Sequence, residues 1–520
     1  MRFVSRRVLR SLVLAGSTFV GCGVEPSQGT DNETRESVSV TSKQDALVGT
    51  ASFLVSFANG SIPANADAVI ANAGGTMVAR YPNLGVVLAK GSAATFASSA
   101  RRGTGVDAVG VVTATRTEIP RPKGHAAMRP HGAGAAAPGQ DPLSARQWDM
   151  DQIRAPQARA ISGGKKSVLV GVLDSGIDVT HPDLVGQVKA SASVSCLGGV
   201  PNAAAAVWAN DIVGHGTHVA GVIAGAKNGV GIVGVAPGVQ LAAVKVVNDD
   251  VNDPNFGLVF PDAMVCAMDW AIGHGFDLMN ASLMLDPLTA PIDDIFCSDQ
   301  PDREAVVKIM RAAVGKAAQK KIPLISSTGN FFTDLSTLTG TTSGSTCKVL
   351  PVQLPRVIGV SAVGFGKQMT FYSNYGFGVV DVTAPGGDSL VVDPDITDTV
   401  SSGQILSSVP AGSLYYQFGA DWDGQVQDCG SGTCATYVYL QGTSQATPHV
   451  TGVAALILSR FGRMTPETLL TYLSLTARKL PCPVGAYDPG MSGTPATCKG
   501  TAIYNNFYGA GEVDALAAVR

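Results

Sequence analysis

The chain is short of charge and shorter still of charge imbalance. Only 15% of its 520 residues are Asp, Glu, Lys or Arg, with 37 basic against 40 acidic residues and a net charge of −3. That balance builds no strong field of either sign, so neither nucleic acid nor an acidic partner is expected. A membrane-spanning run is also missing near the start, because Ser11 to Gly21 is too short to cross a bilayer as a mature helix. No spacing among the nine cysteines resembles a zinc site. His215 and His218 stand three apart with no Glu between them, so the HExxH pattern of zinc proteases is absent. What the chain does have is apolar bulk: 45% hydrophobic residues, enough for a large core and more than one domain, and 61 Gly for tight turns.

Arg2, Arg6, Arg7 and Arg10 precede the short apolar run, so residues 1–22 read as an export signal. Phe19-Val20-Gly21-Cys22 resembles a bacterial lipobox, which would attach the protein to a membrane through a lipid on Cys22. The alternative is ordinary cleavage nearby. Ser5-Arg6-Arg7 is similar to a twin-arginine signal, which leaves the export route open. Cysteines in an exported chain suggest disulfides. Cys429–Cys434 and Cys482–Cys498 each close a short Gly/Pro-rich loop, and Cys297–Cys347 is a third candidate pair. Cys266 lies in the apolar helical run Ala263 to Ile272 and reads as a buried free thiol.

Residues 23–49 are polar and Ser/Thr-rich, a flexible tether. Residues 50–117 read as a compact α+β unit: a strand at Ser52 to Phe57, a helix at Ala64 to Ala73, and a hairpin from Met77 to Leu88 about Pro82-Asn83. A second helix at Ser92 to Arg101 and a strand at Val106 to Thr113 complete it. Residues 118–143 carry five prolines among Gly and Ala, an exposed linker where proteolytic nicking concentrates; maturation is expected to cut within about 113–147. From Ser144 onward, buried-type strands (168–173, 241–247, 277–283, 324–327, 357–363, 379–383) alternate with helices (215–224, 263–273, 303–320, 445–460, 466–476). The pattern predicts an α/β fold, a mainly parallel sheet covered on both faces, with any site beyond the carboxyl ends of its strands.

Three motifs would meet at that edge. Val172-Leu173-Asp174-Ser175-Gly176-Ile177-Asp178 ends a strand, and 41 residues after Asp174 comes His215 in Gly214-His215-Gly216-Thr217-His218-Val219-Ala220-Gly221. Another 229 residues on, Ser444 lies in Gly442-Thr443-Ser444-Gln445-Ala446-Thr447-Pro448-His449. An acid, an imidazole and a hydroxyl are what a serine nucleophile requires: His as base, and a carboxylate to fix its tautomer and stabilise its cation. Gly214 and Gly216 read as keeping bulk off the substrate path, Pro448 as a first-turn helix residue, and His218 as a packing residue.

In these motifs, and over roughly residues 145–520, the chain resembles the subtilisin-like serine proteases (subtilases, peptidase S8). The resemblance implies a subtilisin-like three-layer fold for residues 144–520, and for 50–117 an inhibitor I9-like propeptide that folds and then inhibits the enzyme; a separate adhesion or tethering domain is the alternative. It assigns Asp174, His215 and Ser444 to the triad. Asn330, in Ser326-Ser327-Thr328-Gly329-Asn330, becomes an oxyanion donor. Gly257, Leu258 and Val259, with Ser282, Leu283, Met284 and Gly329, become the substrate-binding edges. Asp183 and the loop residues Ala226, Asn228, Val230 and Ile232 match a structural Ca²⁺ site, or form an ordinary glycine-rich turn; the family's N-terminal Gln ligand has no clear counterpart, Ser144 falling there. Met284 and Gln445 depart from the usual Gly and Met, and residues 388–440 are an insertion. The function implied is an exported serine endopeptidase made as a zymogen, acting on polypeptides. The alternatives are a processing protease of narrow specificity and a catalytically silent surface binding protein on the same fold.

Overall fold

The computed structural model describes residues 49–118, 140–249, 256–285, 301–339, 347–390, 403–419, 424–430, 434–490 and 493–520. The expected export signal, nearly all of the tether and Cys297 lie outside them. The N-terminal unit runs β1 (Thr50–Phe57), α1 (Ala66–Asn72), β2 (Gly75–Tyr81), β3 (Val86–Ser92), α2 (Phe96–Ala100) and β4 (Val106–Val111), as its pattern predicts. Its antiparallel sheet has the order β2-β3-β1-β4. Alternation along β1 sorts the side chains: Phe53, Val55 and Phe57 meet Val69, Ile70 and Phe96 in a local core, while Leu54 faces the other way. A short strand, β5 (Thr115–Glu118), then leaves this sheet for another.

The rest of the chain is an α/β layer structure. In chain order it runs α3 (Trp148–Gln152), α4 (Ala155–Ile161), β6 (Leu169–Asp174), β7 (Val194–Ser195), α5 (Ala205–Trp208), α6 (His215–Ala224), β8 (Gln240–Lys245), β9 (Val247–Asp249) and β10 (Phe256–Val259). There follow α7 (Pro261–Gly273), β11 (Leu278–Ala281), α8 (Pro301–Gln319), β12 (Leu324–Ser327), β13 (Val357–Val363), β14 (Val382–Pro385), β15 (Ile405–Ser408), α9 (Leu414–Gly419), β16 (Gln425–Asp428) and β17 (Ala435–Leu440). The chain closes with α10 (Thr443–Phe461), α11 (Pro466–Thr476) and α12 (Ala515–Ala518).

Seven parallel strands form the central sheet in the order β14-β13-β12-β11-β6-β8-β7. Its strands are apolar on both faces because both are covered. Val170, Val172, Leu241 and Ala243 pack with α6 and α10 on one side; Leu169, Leu173, Ala242 and Val244 pack with α7 and α8 on the other. That second cluster also takes in Leu54, Tyr81, Val86 and Leu88, so the N-terminal unit docks on α7 and α8. Tyr81 donates its hydroxyl hydrogen to Gly199 O (2.6 Å), and Asn83 N–H donates to the Asp269 carboxylate (2.8 Å).

Several expectations need correction. Cys266 is not a free thiol but is bonded to Cys196, with Cα atoms 5.8 Å apart. The two are 70 residues apart, and only the packing of α7 against the segment after β7 brings them together. Cys429–Cys434 and Cys482–Cys498 are paired as expected, and Cys347 is disulfide-bonded. The strand expected at 379–383 starts at Val382, because Val379 and Val380 donate back to Gly376 O in a turn. Pro448 lies in the second turn of α10, leaving the Ser444 carbonyl without its i+4 donor. The last residues of the expected linker are docked: Asp141 and Leu143 are buried, and Leu143 N–H donates to Gly231 O (2.8 Å). The insertion contributes a three-stranded antiparallel sheet, β15-β17-β16, laid over α6.

Candidate active site

Asp174 is the last residue of β6 and His215 the first of α6, both at the carboxyl edge of the sheet. Asp174 Oδ1 lies 2.7 Å from His215 Nδ1 and accepts the Ser175 N–H (2.8 Å). The pair is buried, with side-chain exposures of 1% and 9%. The contact fixes the tautomer: Nδ1 carries a hydrogen, and Nε2 is turned away, buried and without a partner. Burial would depress the imidazole, but Asp174, by charge and by hydrogen bond, and then Asp211 by charge, raise it above its usual value.

Packing requires both glycines beside His215. Gly214 has φ +92°, a left-handed conformation, and a Cβ there would meet Ser413 of the insertion at 2.8 Å. A Cβ on Gly216 would lie 2.0 Å from Gly176 O, so its absence lets α6 sit against the turn after β6. His218 is a packing residue: Nε2 lies 3.2 Å from both Ile405 O and Val438 O, and burial first, then the His215 charge, lowers it to about 3.

Ser444 is the second residue of α10, at the same edge. Its hydroxyl donates to Ser282 O (3.0 Å), so it is turned to the residue after β11 rather than to His215. Asn330 follows β12, and its Oδ1 accepts both the Thr443 N–H and the Thr443 hydroxyl (2.9 Å each). Thr443 Oγ1 in turn accepts the Gly329 N–H (3.0 Å). Because Oδ1 is held by two donors, the orientation of the Asn330 amide is fixed and Nδ2 is its free donor end.

Both stretches expected to bind substrate lie in or just beyond strands. Gly257, Leu258 and Val259 lie in β10, which pairs with β9 on one side and with β5 on the other. In the second pairing Thr115 faces Val259 and Thr117 faces Gly257, and the Thr115 hydroxyl donates to Val259 O (2.7 Å). Ser282, Leu283 and Met284 are buried beyond β11, and a Cβ on Gly329 would meet Met284 Sδ and Cε at 2.6 Å. Met284 thus packs directly against the residue preceding Asn330.

Residues 165–511 match the subtilase family, Peptidase S8. The chain belongs to that family. It is 31% identical over 334 residues to a subtilisin of Bacillus pumilus, covering 64% of this chain and 92% of that one. Against fervidolysin of Fervidobacterium pennivorans the identity is 29% over 337 residues, covering 64% of this chain but only 41% of the relative. The fold is shared with the epidermin leader peptide processing serine protease of Staphylococcus aureus, at a TM-score of 0.61, 18% identity, and coverage of 91% and 98%.

The expected calcium loop of this subtilase folds around Asp183. Asp183 Oδ2 accepts the Tyr437 hydroxyl (2.9 Å) and the Ile232 N–H (3.3 Å), while Oδ1 is buried without a partner. Burial above all raises this carboxyl to about 7, against hydrogen bonds from Tyr437 and Ile232 that lower it. Asn228 Oδ1 accepts the Val230 N–H (3.0 Å), a turn within the loop. The carbonyls of Ala226, Val230 and Ile232 accept no hydrogen bond among the described residues. A bare buried carboxylate oxygen is the kind of ligand a hard cation takes.

Sequence reasoning missed the supports of both sites. Asp141 accepts the N–H groups of Asn228 (3.0 Å) and Gly229 (3.1 Å), and Asp428 of the insertion accepts that of Gly231 (2.8 Å). Ser175, Asp211 and Thr443 brace the candidate triad, yet each sits inside or beside a motif, where only local signals such as helix capping mark it.

Proposed function

We propose that this chain is a serine endopeptidase made as a zymogen. The observation that carries the reading is the buried 2.7 Å contact of Asp174 with His215 Nδ1, which leaves Nε2 open at the edge that holds Ser444. The chain spans 41% of fervidolysin and 66% of subtilisin NAT from Bacillus subtilis subsp. natto, so the activity is argued from the site itself.

In the mechanism, Ser444 rotates from Ser282 O towards His215 Nε2, which takes the hydroxyl proton as Oγ bonds to the substrate carbonyl carbon. The carbonyl electron pair moves onto oxygen, where Asn330 Nδ2 and the Ser444 N–H stabilise it, the Thr443 N–H being held by Asn330 Oδ1. Asp174 holds the imidazolium. The C–N bond then breaks, the leaving amine takes the proton from Nε2, and an acyl-enzyme remains. Water repeats the sequence in reverse order of roles and releases the acid.

An extended peptide would add to β10 as a strand, with Ser282 to Met284 on its other side. The position of β5 on β10 supports a zymogen in which the N-terminal unit and its following segment hold the substrate edge. Asp183, Asn228 and the carbonyls of Ala226, Val230 and Ile232 would hold Ca²⁺; the ion would neutralise Asp183 and brace the loop. Export through residues 1–22 and lipid on Cys22 complete the proposal, placing the enzyme outside the cell or in its envelope. No described helix is long and apolar enough to cross a membrane.

A fluorophosphonate probe on the processed protein tests the reading. Labelling that vanishes in Ser444→Ala and in His215→Ala is expected. A processed wild-type chain that labels no more than Ser444→Ala would instead favour the silent binding protein.

A further inference from the structure

Behind the imidazole lies a second buried carboxylate that the reaction scheme does not use. Asp211 is 5% exposed and accepts four hydrogen bonds. Oδ1 takes the Gly214 N–H (2.9 Å) and the Ser175 hydroxyl (2.8 Å); Oδ2 takes the Thr217 N–H (2.9 Å) and the Thr217 hydroxyl (2.6 Å). All four partners donate, so only an acceptor with two oxygens satisfies them. Two of these bonds hold the backbone immediately before and two residues after His215.

Ser175 connects the two carboxylates. Its oxygen accepts the Gly216 N–H (2.9 Å), and its single hydroxyl hydrogen lies between two acceptors. Asp211 Oδ1 is 2.8 Å away and Asp174 Oδ1 3.3 Å, so the hydrogen goes to Asp211. Asp174 Oδ1 is then left with the Ser175 N–H and His215 Nδ1, and its Oδ2 is bare. A carboxylate that gives up fewer lone pairs to other donors pulls harder on an imidazolium.

We propose that Asp211 is a positioning residue for His215: it clamps the first turn of α6 and, by holding the Ser175 hydroxyl, keeps Asp174 a strong acceptor. This rests on the proton-transfer reading given above. The groups facing the ring are Asp174 from β6, Asp211 from the loop before α6, His218 further along α6 and the Tyr415 ring from α9, 6.0 Å away. Lys245, at the end of β8, is the cation that acts on Asp211. Of these, only Asp174 and Asp211 favour the charged ring, against burial. Loss of the Asp211 charge therefore lowers the pH at which His215 gives up its proton.

The test uses the full chain after processing, with activity on a peptide amide counted per fluorophosphonate-labelled serine. Asp211→Asn is expected to lower kcat roughly 10- to 100-fold with little change in KM, and to move the acid limb of kcat/KM down by about half a pH unit. A purely structural role would lower the labelled fraction and the melting temperature but leave kcat per labelled serine and the acid limb in place. That result, or kcat within about twofold of wild type, overturns the proposal. If Asp211→Asn does not fold, Ser175→Ala decides: it keeps the Asp211 charge and leaves Asp174 no weaker an acceptor, but it frees the Gly216 N–H from the Ser175 oxygen that Asp211 holds. Then kcat should fall several-fold through the loosened first turn of α6 with the acid limb unmoved, and an unchanged kcat overturns the clamp. His215→Ala runs alongside. Activity in that variant would sink the proton-transfer reading itself, whereas a dead His215→Ala beside a wild-type-like Asp211→Asn sinks only this inference.

Discussion

Gly216→Ala is the substitution through which the geometry predicts most. The added methyl would start 2.0 Å from Gly176 O. A comfortable carbon–oxygen contact is about 3.3 Å, so α6 and the turn after β6 must part by roughly 1.3 Å. If half of that falls along the His215–Asp174 line, the 2.7 Å contact lengthens to roughly 3.4 Å, the limit of a useful hydrogen bond. Displacements of about 1 Å at a reacting centre cost on the order of 100-fold in rate, while overpacking costs about 1–3 kcal/mol in stability. The expected variant is folded, melts a few degrees lower, and loses about two orders of magnitude in kcat on a peptide amide. Stopped or continuous amide hydrolysis, normalised by active-serine labelling, reads this directly. A Gly216→Ala enzyme within about threefold of wild type would show that the close approach of α6 does not set the imidazole.

Further outcomes follow from other parts of the molecule. EDTA should lower the melting temperature if Asp183 and its loop hold Ca²⁺, and the melt should recover on adding back the ion; an unchanged melt at submicromolar free Ca²⁺ would count against the site. Replacing Cys196 and Cys266 together by Ala should destabilise the protein by about 4 kcal/mol through the freed loop, measured by denaturant melts, and alkylation of the unreduced, denatured wild type should leave Cys266 unmodified. Asp269 accepts the Asn83 N–H across the docked face and is raised to about 6 chiefly by burial; where docking supplies that burial, the protonated form favours the docked state. Docking of residues 49–118 should therefore weaken as pH rises from about 4 to about 6 and level off above. Size-exclusion of a nicked Ser444→Ala chain at both ends of that range would show it, and tighter association at the higher pH would contradict the sign.

The residues of the candidate triad are legible in the sequence because each lies in a short motif whose local geometry is self-contained. A strand end presents Asp174, and two helix starts present His215 and Ser444. Most strands read well as apolar runs, although the one expected at 379–383 begins only at Val382. What escaped were contacts made by distance in space. Nothing local pairs Cys196 with Cys266, sets β5 on β10, or brings Asp428 to Gly231. The glycines are legible only in part: a missing Cβ says that something is close, but only the fold says that at Gly216 it is Gly176 O. Pro448 was misplaced by one turn because helix starts are the weakest part of a periodicity argument.

The strand β5 on the edge of β10 also sets a concentration problem. On the proposed reading of β10 as the substrate edge, a segment of the same chain competes for it as a tethered ligand, whose effective concentration for flexible connections is on the order of millimolar. At equal affinity for the edge, a foreign peptide at micromolar levels loses that contest. Cutting the chain beyond β5 does not end the competition, because residues 49–111 remain docked on α7 and α8 and go on presenting the strand. Only dissociation dilutes the rival to the concentration of the protein itself. The onset of proteolysis would then depend on volume and dilution as much as on the cut, favouring activity after the protein has spread into its surroundings.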